Sequence, residues 1–398
     1  MGFIKLRNNT YTFAFVGLSF YTAGMISTLT ISNFRNHESS RIKTGGAKAI
    51  IITGPNGSGK TSILEAISTL SAGQGLRGAH VSEMLRISKT QGIGHTAYGA
   101  SFGVVSELEN GTNLSVSWSA GDTYRRAGID GDHAPLSDLG RHLRLVWLTP
   151  KEDRLFYEGA SDRRAFFDRM STSFDPAHSG RVHRLAKLLS ERAFALKSRA
   201  GDEWLGAIEK QLAETAVAVA AARVKYAGEI NYFLRRNENE DARCPMHYAV
   251  TISGLLEQQL SDGQSAMDTE KSYLEYLSRE RALVHDKMTI DGAHKSDMTL
   301  FNKTLDMNVA MTSTGQQKAA LLALIIAHAK LLQAKISAPP VILLDEAVAH
   351  LDSGARENLF AELRAAGSQI WATGIEAALF DGIGDAVFVA CENGKISE

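Results

Sequence analysis

The sequence predicts an α/β fold in which a sheet-forming head is interrupted by a long helical segment. Three observations support this fold class. A β-branched apolar run at residues 49–53 is followed by a glycine-rich loop and then by a helix-forming stretch. A second apolar run, at residues 341–344, ends in two adjacent carboxylates. Between these runs, residues 161–237 are rich in Ala, Leu, Arg, Lys and Glu and carry apolar residues at helical spacing.

Length and composition narrow the possible classes of protein. A chain of 398 residues is too long for one small core and predicts two or three domains. The 43 basic and 44 acidic residues nearly cancel, so binding to nucleic acid would require a local basic patch. The two cysteines, Cys244 and Cys391, lie far apart. They predict neither a disulfide framework nor a zinc site, which fits a reducing cytoplasm.

The first 24 residues differ from the rest of the chain. Lys5 and Arg7 precede an apolar run at residues 13–20, as in a short signal peptide, and this run is too short to span a bilayer. An ordered pattern begins only at Met25. We therefore expect residues 1–24 to be an extension that is poorly ordered or not native.

The first glycine-rich loop matches the phosphate-binding pattern G-x-x-x-x-G-K-[ST] in full. Its glycines let backbone N–H groups surround phosphate oxygens, and the following helix adds the positive end of its dipole. Lys60 is predicted to reach the β- and γ-phosphates of ATP, and the Thr61 hydroxyl to ligate Mg²⁺. The alternative is a plain glycine-rich turn, but all four fixed positions and both flanks match. The predicted nucleotide-binding residues here are Gly54, Pro55, Asn56, Gly57, Ser58, Gly59, Lys60 and Thr61.

The second motif is the apolar strand that ends at Asp345 and Glu346. Ligands of open parallel sheets bind at the carboxyl edge of the strands. Asp345 is predicted to hold the Mg²⁺ shell, and Glu346 to polarise the attacking water as general base, with Lys60 as the other catalytic residue. An apolar strand ending in Asp-Glu is common by itself. The phosphate loop upstream is what gives this one functional weight.

A third motif occupies residues 312–318, just before the Asp-Glu strand. Ser313 can cap the following helix, and Gly315 lets the backbone approach a phosphate, although a plain helix cap is the simpler alternative. The order of helix, short loop and strand is typical of ABC-type ATPases. In that class the phosphate loop of one subunit and the Ser-x-Gly-Gln loop of another enclose one ATP. Ser313, Gly315 and Gln316 are therefore predicted to bind nucleotide across a homodimer.

Two further positions follow from the ABC-type pattern. Residues 349–352 resemble the D-loop, which crosses the dimer interface, so Asp352 is a predicted binding residue; the alternative is a surface turn. Thr373 ends the next strand, where many ABC proteins have a switch histidine. Thr373 or Glu376 is a candidate sensor of the γ-phosphate.

The remaining segments predict the domain organisation. Runs at residues 102–105 and 114–118, joined by Asn110-Gly111, predict a hairpin, and together with residues 143–148 an antiparallel subsheet. Residues 161–237 predict two or three long helices, residues 260–270 a loop, and residues 272–285 a helix. Two apolar stripes predict the helical core: Val182, Leu185, Leu188 and Leu189, and Trp204, Ile208, Leu212 and Val217. The predicted parts are an ATPase head at 25–155 and 291–398 and a mainly helical arm at 156–290.

Several blocks, in order and at matching spacing, resemble the RecF family of ABC/SMC-like ATPases. They lie at residues 33–37, 54–67, 75–77, 149–150, 163–168, 292–297, 313–318 and 343–347. The resemblance implies that Arg35 and Asn36 lie beside the nucleotide. It also implies an ABC-type head that dimerises with ATP on double-stranded or gapped DNA, with weak DNA-stimulated hydrolysis. RecO and RecR would be partners in the cytoplasm, with recombinase loading and the SOS response as outcomes and no membrane partner.

The sequence departs from the family at several points. Family members often have Pro at the position of Ala293, and Arg at the positions of Lys295 and Lys318. Asp-Asp is frequent where this chain has Asp345-Glu346, which matches the wider ABC pattern instead. No clear Q-loop glutamine lies near residues 148–150, and the N-terminal extension is foreign to the family.

DNA contacts require Lys and Arg side chains that face phosphates. The sequence lacks a motif that reads the major groove, which favours backbone-directed binding. Because acidic residues are interleaved, each basic residue by itself is an ordinary solvated charge. The candidates, of which Arg163 and Arg164 are the predicted targets for charge reversal, are Arg77, Arg141, Arg144, Arg163, Arg164, Arg181, Arg184, Lys187 and Arg192.

Three other functions remain open from the sequence. The ATPase subunit of a membrane transporter shares the motifs, but the insert between Thr61 and Ser313 is larger than such subunits carry. A structural SMC-type protein would need sustained heptads, which are missing. An ATPase coupled to a nuclease would need a carboxylate cluster beyond Asp345 and Glu346.

Overall fold

The computed structural model describes residues 24–71, 73, 75–86, 100–235, 247–281, 290–348 and 351–397. The predicted extension at residues 1–24 therefore lies outside the described residues except for Gly24. The predicted α/β class is confirmed: the chain forms a mixed sheet core with an antiparallel sheet and helical insertions. The domain boundaries stay predictions.

Helices and strands alternate at both ends of the chain, and helices dominate its middle. The helices are α1 (Lys60–Ser68), α2 (Leu136–His142), α3 (Ala160–Phe174), α4 (Ala177–Lys197), α5 (Asp202–Leu234), α6 (Leu255–Ser261), α7 (Ala266–Glu280), α8 (Thr314–Ile336) and α9 (Ser353–Ala365). The strands are β1 (Ile26–Phe34), β2 (His37–Lys43), β3 (Ala49–Thr53), β4 (Ser101–Leu108), β5 (Asn113–Ser119), β6 (Arg126–Ile129), β7 (Asp132–Ala134), β8 (Leu145–Leu148), β9 (Tyr248–Ser253), β10 (Asp297–Asn302), β11 (Met307–Asn308), β12 (Val341–Leu344), β13 (Gln369–Gly374), β14 (Ala386–Glu392) and β15 (Lys395–Ser397).

The central sheet has the strand order β15-β14-β3-β13-β12-β8, and only β15 runs antiparallel to its neighbour. Its inner strands are apolar on both faces, as strands covered on both sides must be. Because β3, β8, β12 and β13 are parallel, their carboxyl ends share one edge. Gly54, Thr149, Asp345 and Thr373 therefore come together at that edge from four separate parts of the sequence.

The antiparallel sheet has the order β2-β1-β4-β5-β6-β7 and contains the predicted hairpin of β4 and β5. The prediction that residues 143–148 belong to this sheet was wrong. Strand β8 pairs in parallel with β12, and Leu148 lies opposite Leu344. All four residues of β8 are buried, which is the pattern of a parallel strand covered on both faces rather than of a half-solvated antiparallel one.

The predicted helical middle contains α3, α4 and α5, which agrees with the expected two or three long helices. The loop expected at residues 260–270 was wrong, because α6 and α7 occupy most of that stretch and Ser265 caps α7. Helix α7 begins earlier than expected, and residues 282–289 lie outside the described residues. Trp204 was also misassigned, since it is 56% exposed, whereas Ile208, Leu212 and Val217 are buried.

A buried ionic cluster joins the helical middle to the head. Arg223 of α5 donates to both carboxylate oxygens of Asp168 at 2.8 Å and contacts Glu257 of α6 at 3.2 Å. Arg163 makes a bidentate pair with Asp297 at the start of β10. Removing Asp168 or Glu257 would leave buried charge on Arg223 uncompensated, so this cluster holds α3, α5 and α6 together, whereas the half-buried pair of Arg163 and Asp297 joins α3 to β10.

Helix α8 is long and apolar enough to cross a membrane, but 56% of its most apolar stretch is buried inside the protein. Leu321, Leu324 and Ile325 belong to the same apolar cluster as Ile342 and Leu344 of β12. Within the described part of the chain, α8 is therefore packed as a core helix.

His328 on α8 provides a test of this packing. The ring is fully buried and its Nδ1 lies 2.7 Å from the Tyr226 hydroxyl of α5. Burial, with a smaller contribution from Arg144, lowers the pKa of His328 to about 3. The folded state therefore keeps the ring neutral while the unfolded state protonates it below about pH 6.5.

We expect the free energy of unfolding to decrease as the pH falls from 6.5 towards 3. One proton taken up only by the unfolded chain corresponds to about 1.4 kcal/mol per pH unit. His328→Gln should reduce this slope by about half a proton at pH 6.5 and by nearly one proton at pH 5 in urea unfolding. His183→Gln, at an exposed position on α4, is the control. Equal slopes for His328→Gln and the unmodified chain would contradict the prediction.

Candidate nucleotide site

The phosphate loop connects β3 to α1 at the shared edge of the central sheet. Gly54, Gly57 and Gly59 all have positive φ angles, of 147°, 79° and 117°. A Cβ on Gly54 would lie 2.1 Å from the Cys391 carbonyl oxygen, and one on Gly59 would lie 2.6 Å from Asn36 Nδ2. Glycine is thus required at 54 and 59 by both conformation and space.

Contacts behind the loop hold its carbonyl groups. The Ser58 carbonyl accepts from Asn36 Nδ2 at 3.0 Å and from the Gly394 amide at 2.8 Å. The Gly59 carbonyl lies 3.1 Å from His37 Nε2. A loop whose carbonyls are bound on one side can present amides to an anion on the other. Asn36 therefore supports the loop, as well as lining the cavity beside it.

Lys60 begins α1 and is only 4% exposed. Its ammonium group donates to the carbonyls of Gly54 at 2.7 Å and Pro55 at 2.9 Å. The side chain therefore folds back over the loop, and its charge is held where the phosphates of a nucleotide would enter. Pro55, Asn56 and Gly57 are exposed at the tip of the loop, whereas Ser58 is buried beneath it.

The two predicted metal-binding residues are brought together. Thr61 Oγ1 donates to Asp345 Oδ1 at 2.9 Å, although 284 residues separate them in the sequence. Thr373 Oγ1 lies 2.9 Å from the same oxygen. A hydroxyl and a carboxylate beside a phosphate loop are the hard oxygen donors that Mg²⁺ prefers. The residues present therefore fit the metal that the sequence predicted.

Glu346 is exposed and lies in the left-handed region with φ of 52°. Its backbone N–H donates to Thr373 Oγ1 at 2.9 Å. Glu346 lines the cavity of about 1020 Å³ that also contains Lys60 and Thr61. The predicted general base therefore faces the same space as the predicted phosphate-binding residues.

Arg35 lines this cavity but is held by a residue that the sequence reasoning missed. Its Nε and Nη2 donate to the two carboxylate oxygens of Glu65 at 2.9 and 2.6 Å. Glu65 is fully buried on α1, and Arg77 approaches it to 3.6 Å. The available signal was an acidic residue within an apolar helical run, because a buried carboxylate needs a cationic partner.

The Ser-x-Gly-Gln loop lies on a separate surface. Ser313 caps α8 in a capping box with Gln316, and Ser313 and Gly315 are both exposed. Residues 313–316 line neither the cavity of about 1020 Å³ nor a second cavity, of about 800 Å³, that contains Thr61, Asp345 and Glu346. The fold therefore does not bring this loop to the phosphate loop of the same chain.

The predicted D-loop is partly described. Asp352 is exposed and caps α9 by accepting from the Ala355 amide at 2.8 Å. Residues 349 and 350 lie outside the described residues. The Asp352 carboxylate therefore has a structural partner in its own chain, and its role in nucleotide binding stays a prediction.

Glu152 occupies the region where the sequence lacks a Q-loop glutamine. It accepts from the Thr149 amide at 2.8 Å and from Arg169 at 2.9 Å. The neighbouring Asp153 pairs with Lys318, near the start of α8, at 3.3 Å. This segment links the carboxyl end of β8 to the helix that follows the Ser-x-Gly-Gln loop. Two carboxylates placed soon after an apolar strand were the sequence signal for it.

Several candidate DNA contacts are held inside the fold by partners of their own chain, which makes them poor candidates, and the assignment of DNA contacts stays a prediction. Arg144 and Arg192 are buried, and Arg192 pairs with Glu209. Arg163 is held by Asp297, and Arg164 donates to the Ser296 carbonyl at 2.6 Å. Charge reversal at these positions would disrupt packing before it reported on DNA. The candidates left exposed are Arg77, Arg141, Arg184 and Lys187, and Arg181 is half-buried beside Asp175.

The chain is similar to known proteins over almost its whole length. Residues 25–398 match the model of the RecF/RecN/SMC N terminal domain family. The chain is 35% identical over 377 residues to the DNA replication and repair protein RecF of Rhizobium leguminosarum bv. trifolii, covering 94% of this chain and 98% of that protein. It is 37% identical over 380 residues to RecF of Brucella suis, covering 94% and 96%.

A solved structure has the same fold. The structure of the recombination mediator protein RecF with ATP in the RecFOR pathway superposes with a TM-score of 0.77 at 20% identity. The match covers 95% of this chain and 99% of that one. At this identity the similarity concerns the fold alone, and it extends over the head and the helical middle together.

Proposed function

The chain belongs to the RecF family of DNA replication and repair proteins, and on that basis we propose that it is an ATP-dependent DNA-binding protein of recombinational repair. In this proposal ATP joins two copies of the chain on double-stranded or gapped DNA, and slow hydrolysis releases them. The work would be done in the cytoplasm with RecO and RecR, and would promote recombinase loading, replication-fork maintenance and the SOS response.

The observation that supports the proposal is that the two loops which an ABC-type nucleotide site needs lie apart within one chain. Lys60, Thr61 and Glu346 line one cavity and Asp345 is hydrogen-bonded to Thr61, whereas Ser313 is exposed and lines no part of that cavity. Within one chain the Ser313 loop caps α8 and lines no part of this cavity. A second copy that placed its own Ser313 loop over this cavity would complete both sites by two-fold symmetry.

Each residue around the phosphate loop would have its own role in ATP hydrolysis. Loop amides and the Lys60 ammonium would bind and orient the phosphates, and Thr61 and Asp345 would hold Mg²⁺, which neutralises charge on the phosphate oxygens when bound. Glu346 would accept a hydrogen bond from the attacking water and take its proton. Arg35, fixed by Glu65, would lie beside the nucleotide.

The dimer would form only when ATP is enclosed, so ATP binding acts as the switch that assembles the DNA-binding surface. Arg184 and Lys187 on α4 are exposed, and DNA phosphates would replace their surface contacts with Gln211 and Glu191. Contacts of this kind would be largely independent of base sequence.

Binding of fluorescent duplex and gapped DNA, with ATP or ADP and at several salt concentrations, tests the proposal. We expect roughly tenfold or tighter binding with ATP, no dependence on base sequence, and a linear loss of affinity with the logarithm of salt concentration. DNA should also accelerate ATP hydrolysis. Equal affinity with ATP, with ADP and without nucleotide would contradict the proposal.

A further inference from the structure

One buried hydroxyl, that of Thr373, connects the Asp345 carboxylate to the backbone of Glu346 at the end of β12. Thr373 is fully buried at the carboxyl end of β13. Its Oγ1 accepts from the Glu346 backbone N–H at 2.9 Å and lies 2.9 Å from Asp345 Oδ1. Because the amide can only donate, the hydroxyl hydrogen is available for the carboxylate. The direction of both hydrogen bonds is therefore fixed.

We propose that Thr373 is a positioning residue for hydrolysis, which sets the backbone of Glu346 and the orientation of Asp345 together. This inference rests on the proposed ATPase function. It does not require Thr373 to touch the nucleotide, and so it differs from a sensor of the γ-phosphate.

The conformation of Glu346 explains why such support is needed. Its φ of 52° is unfavourable for a residue with a side chain, and it persists only where surrounding contacts enforce it. The Thr373 hydroxyl is the partner of the Glu346 amide at this bend. The next residues, Ala347 and Val348, are buried in the core and hold the chain on the other side.

The same hydroxyl also restricts the orientation of the Asp345 carboxylate. Thr61 and Thr373 both direct hydrogen bonds to Oδ1, and the hydrogen bonds recorded for this carboxylate within the described ranges all fall on that oxygen. Two donors on one oxygen fix the plane of the carboxylate, so these two hydrogen bonds together set the direction of Oδ2. Losing the Thr373 hydroxyl would remove a donor from the predicted Mg²⁺ ligand and an acceptor from the backbone N–H of the predicted general base, so both would be loosened at once.

The test replaces Thr373 with Val, which keeps the shape and β-branching of a buried strand residue but removes the hydroxyl. We expect kcat for ATP hydrolysis to fall roughly tenfold or more, while the affinity for ATP, measured by binding of a fluorescent analogue, stays within about threefold. Thr373→Ser keeps the hydroxyl and should retain kcat within about threefold.

Two further variants separate positioning from general damage. Thr269→Val changes another fully buried threonine, whose hydroxyl has no hydrogen-bond partner among the described residues, and should leave kcat and ATP affinity unchanged. In a Glu346→Gln background, Thr373→Val should cause a smaller further loss of hydrolysis than in the unmodified protein, because the part of its effect that passes through Glu346 is already lost and only the part through Asp345 remains.

The inference is overturned if Thr373→Val keeps normal kcat, or if Ser and Val lower kcat and ATP affinity equally. Absence of ATP hydrolysis in the unmodified protein would instead count against the proposed function, so the two failures are distinguishable.

Discussion

Glu346→Gln is expected to reduce ATP hydrolysis by about 10²-fold or more, because an amide cannot take the proton of the attacking water. The substitution keeps the size of the side chain, and Glu346 is exposed at the cavity edge, so the fold should not change. With ATP bound but not consumed, two copies should remain together on duplex DNA. Steady-state hydrolysis and light scattering with saturating ATP measure the two effects.

Glu392→Gln is the matched control for this prediction. It removes another exposed carboxylate, at the end of β14 in the same sheet, and should leave hydrolysis and assembly unchanged. A Glu346→Gln protein that stays monomeric with saturating ATP and DNA would count heavily against ATP-driven dimerisation.

Ser313→Asp is expected to prevent ATP-dependent dimerisation. Asp is as good a helix cap as Ser, so α8 should keep its N-terminal hydrogen bond. A carboxylate at this exposed position would meet the phosphates bound by the other copy, and like charges in a site closed to water repel strongly. We expect the protein to bind ATP as a monomer, with hydrolysis reduced by about 10²-fold or more.

Asn308→Asp controls for the added charge. Asn308 caps the short turn before the Ser313 loop by accepting from the Ala310 amide at 2.9 Å, and Asp can keep that bond. This variant should still dimerise with ATP. Sizing of both variants with and without ATP makes the comparison, and normal dimerisation of Ser313→Asp would remove Ser313 from the predicted interface.

Motifs with strict local requirements could be predicted from sequence. The phosphate loop needs glycine at 54 and 59, and the apolar strand ending at Asp345 needs burial on both faces, so each leaves a clear pattern. The contact between Thr61 and Asp345 followed from those two motifs, because parallel strands end at one edge.

Contacts between residues that are far apart in the chain left weaker signals in the sequence. Nothing next to Thr373 in sequence indicates that its hydroxyl reaches Asp345 and Glu346. The apolar run of β8 fits either sheet, and its parallel pairing depends on β12, almost 200 residues later. Trp204 lies at the correct helical spacing for a core position, but near the first turn of α5 the spacing does not decide whether another helix covers it.

The central claim is that each nucleotide site is shared between two copies of the chain. Mixing two inactive variants tests it most directly. Lys60→Ala should lose ATP binding at its own phosphate loop. Ser313→Asp should inactivate the Ser-x-Gly-Gln loop that would contact the partner's nucleotide. Both are made in the Glu346→Gln background, and one carries an affinity tag. Each alone should stay monomeric with ATP, whereas the mixture should give ATP-dependent capture of the untagged chain, because one complete site remains. A mixture that shows no capture, or Ser313→Asp chains that capture each other, would contradict a nucleotide site shared between two copies.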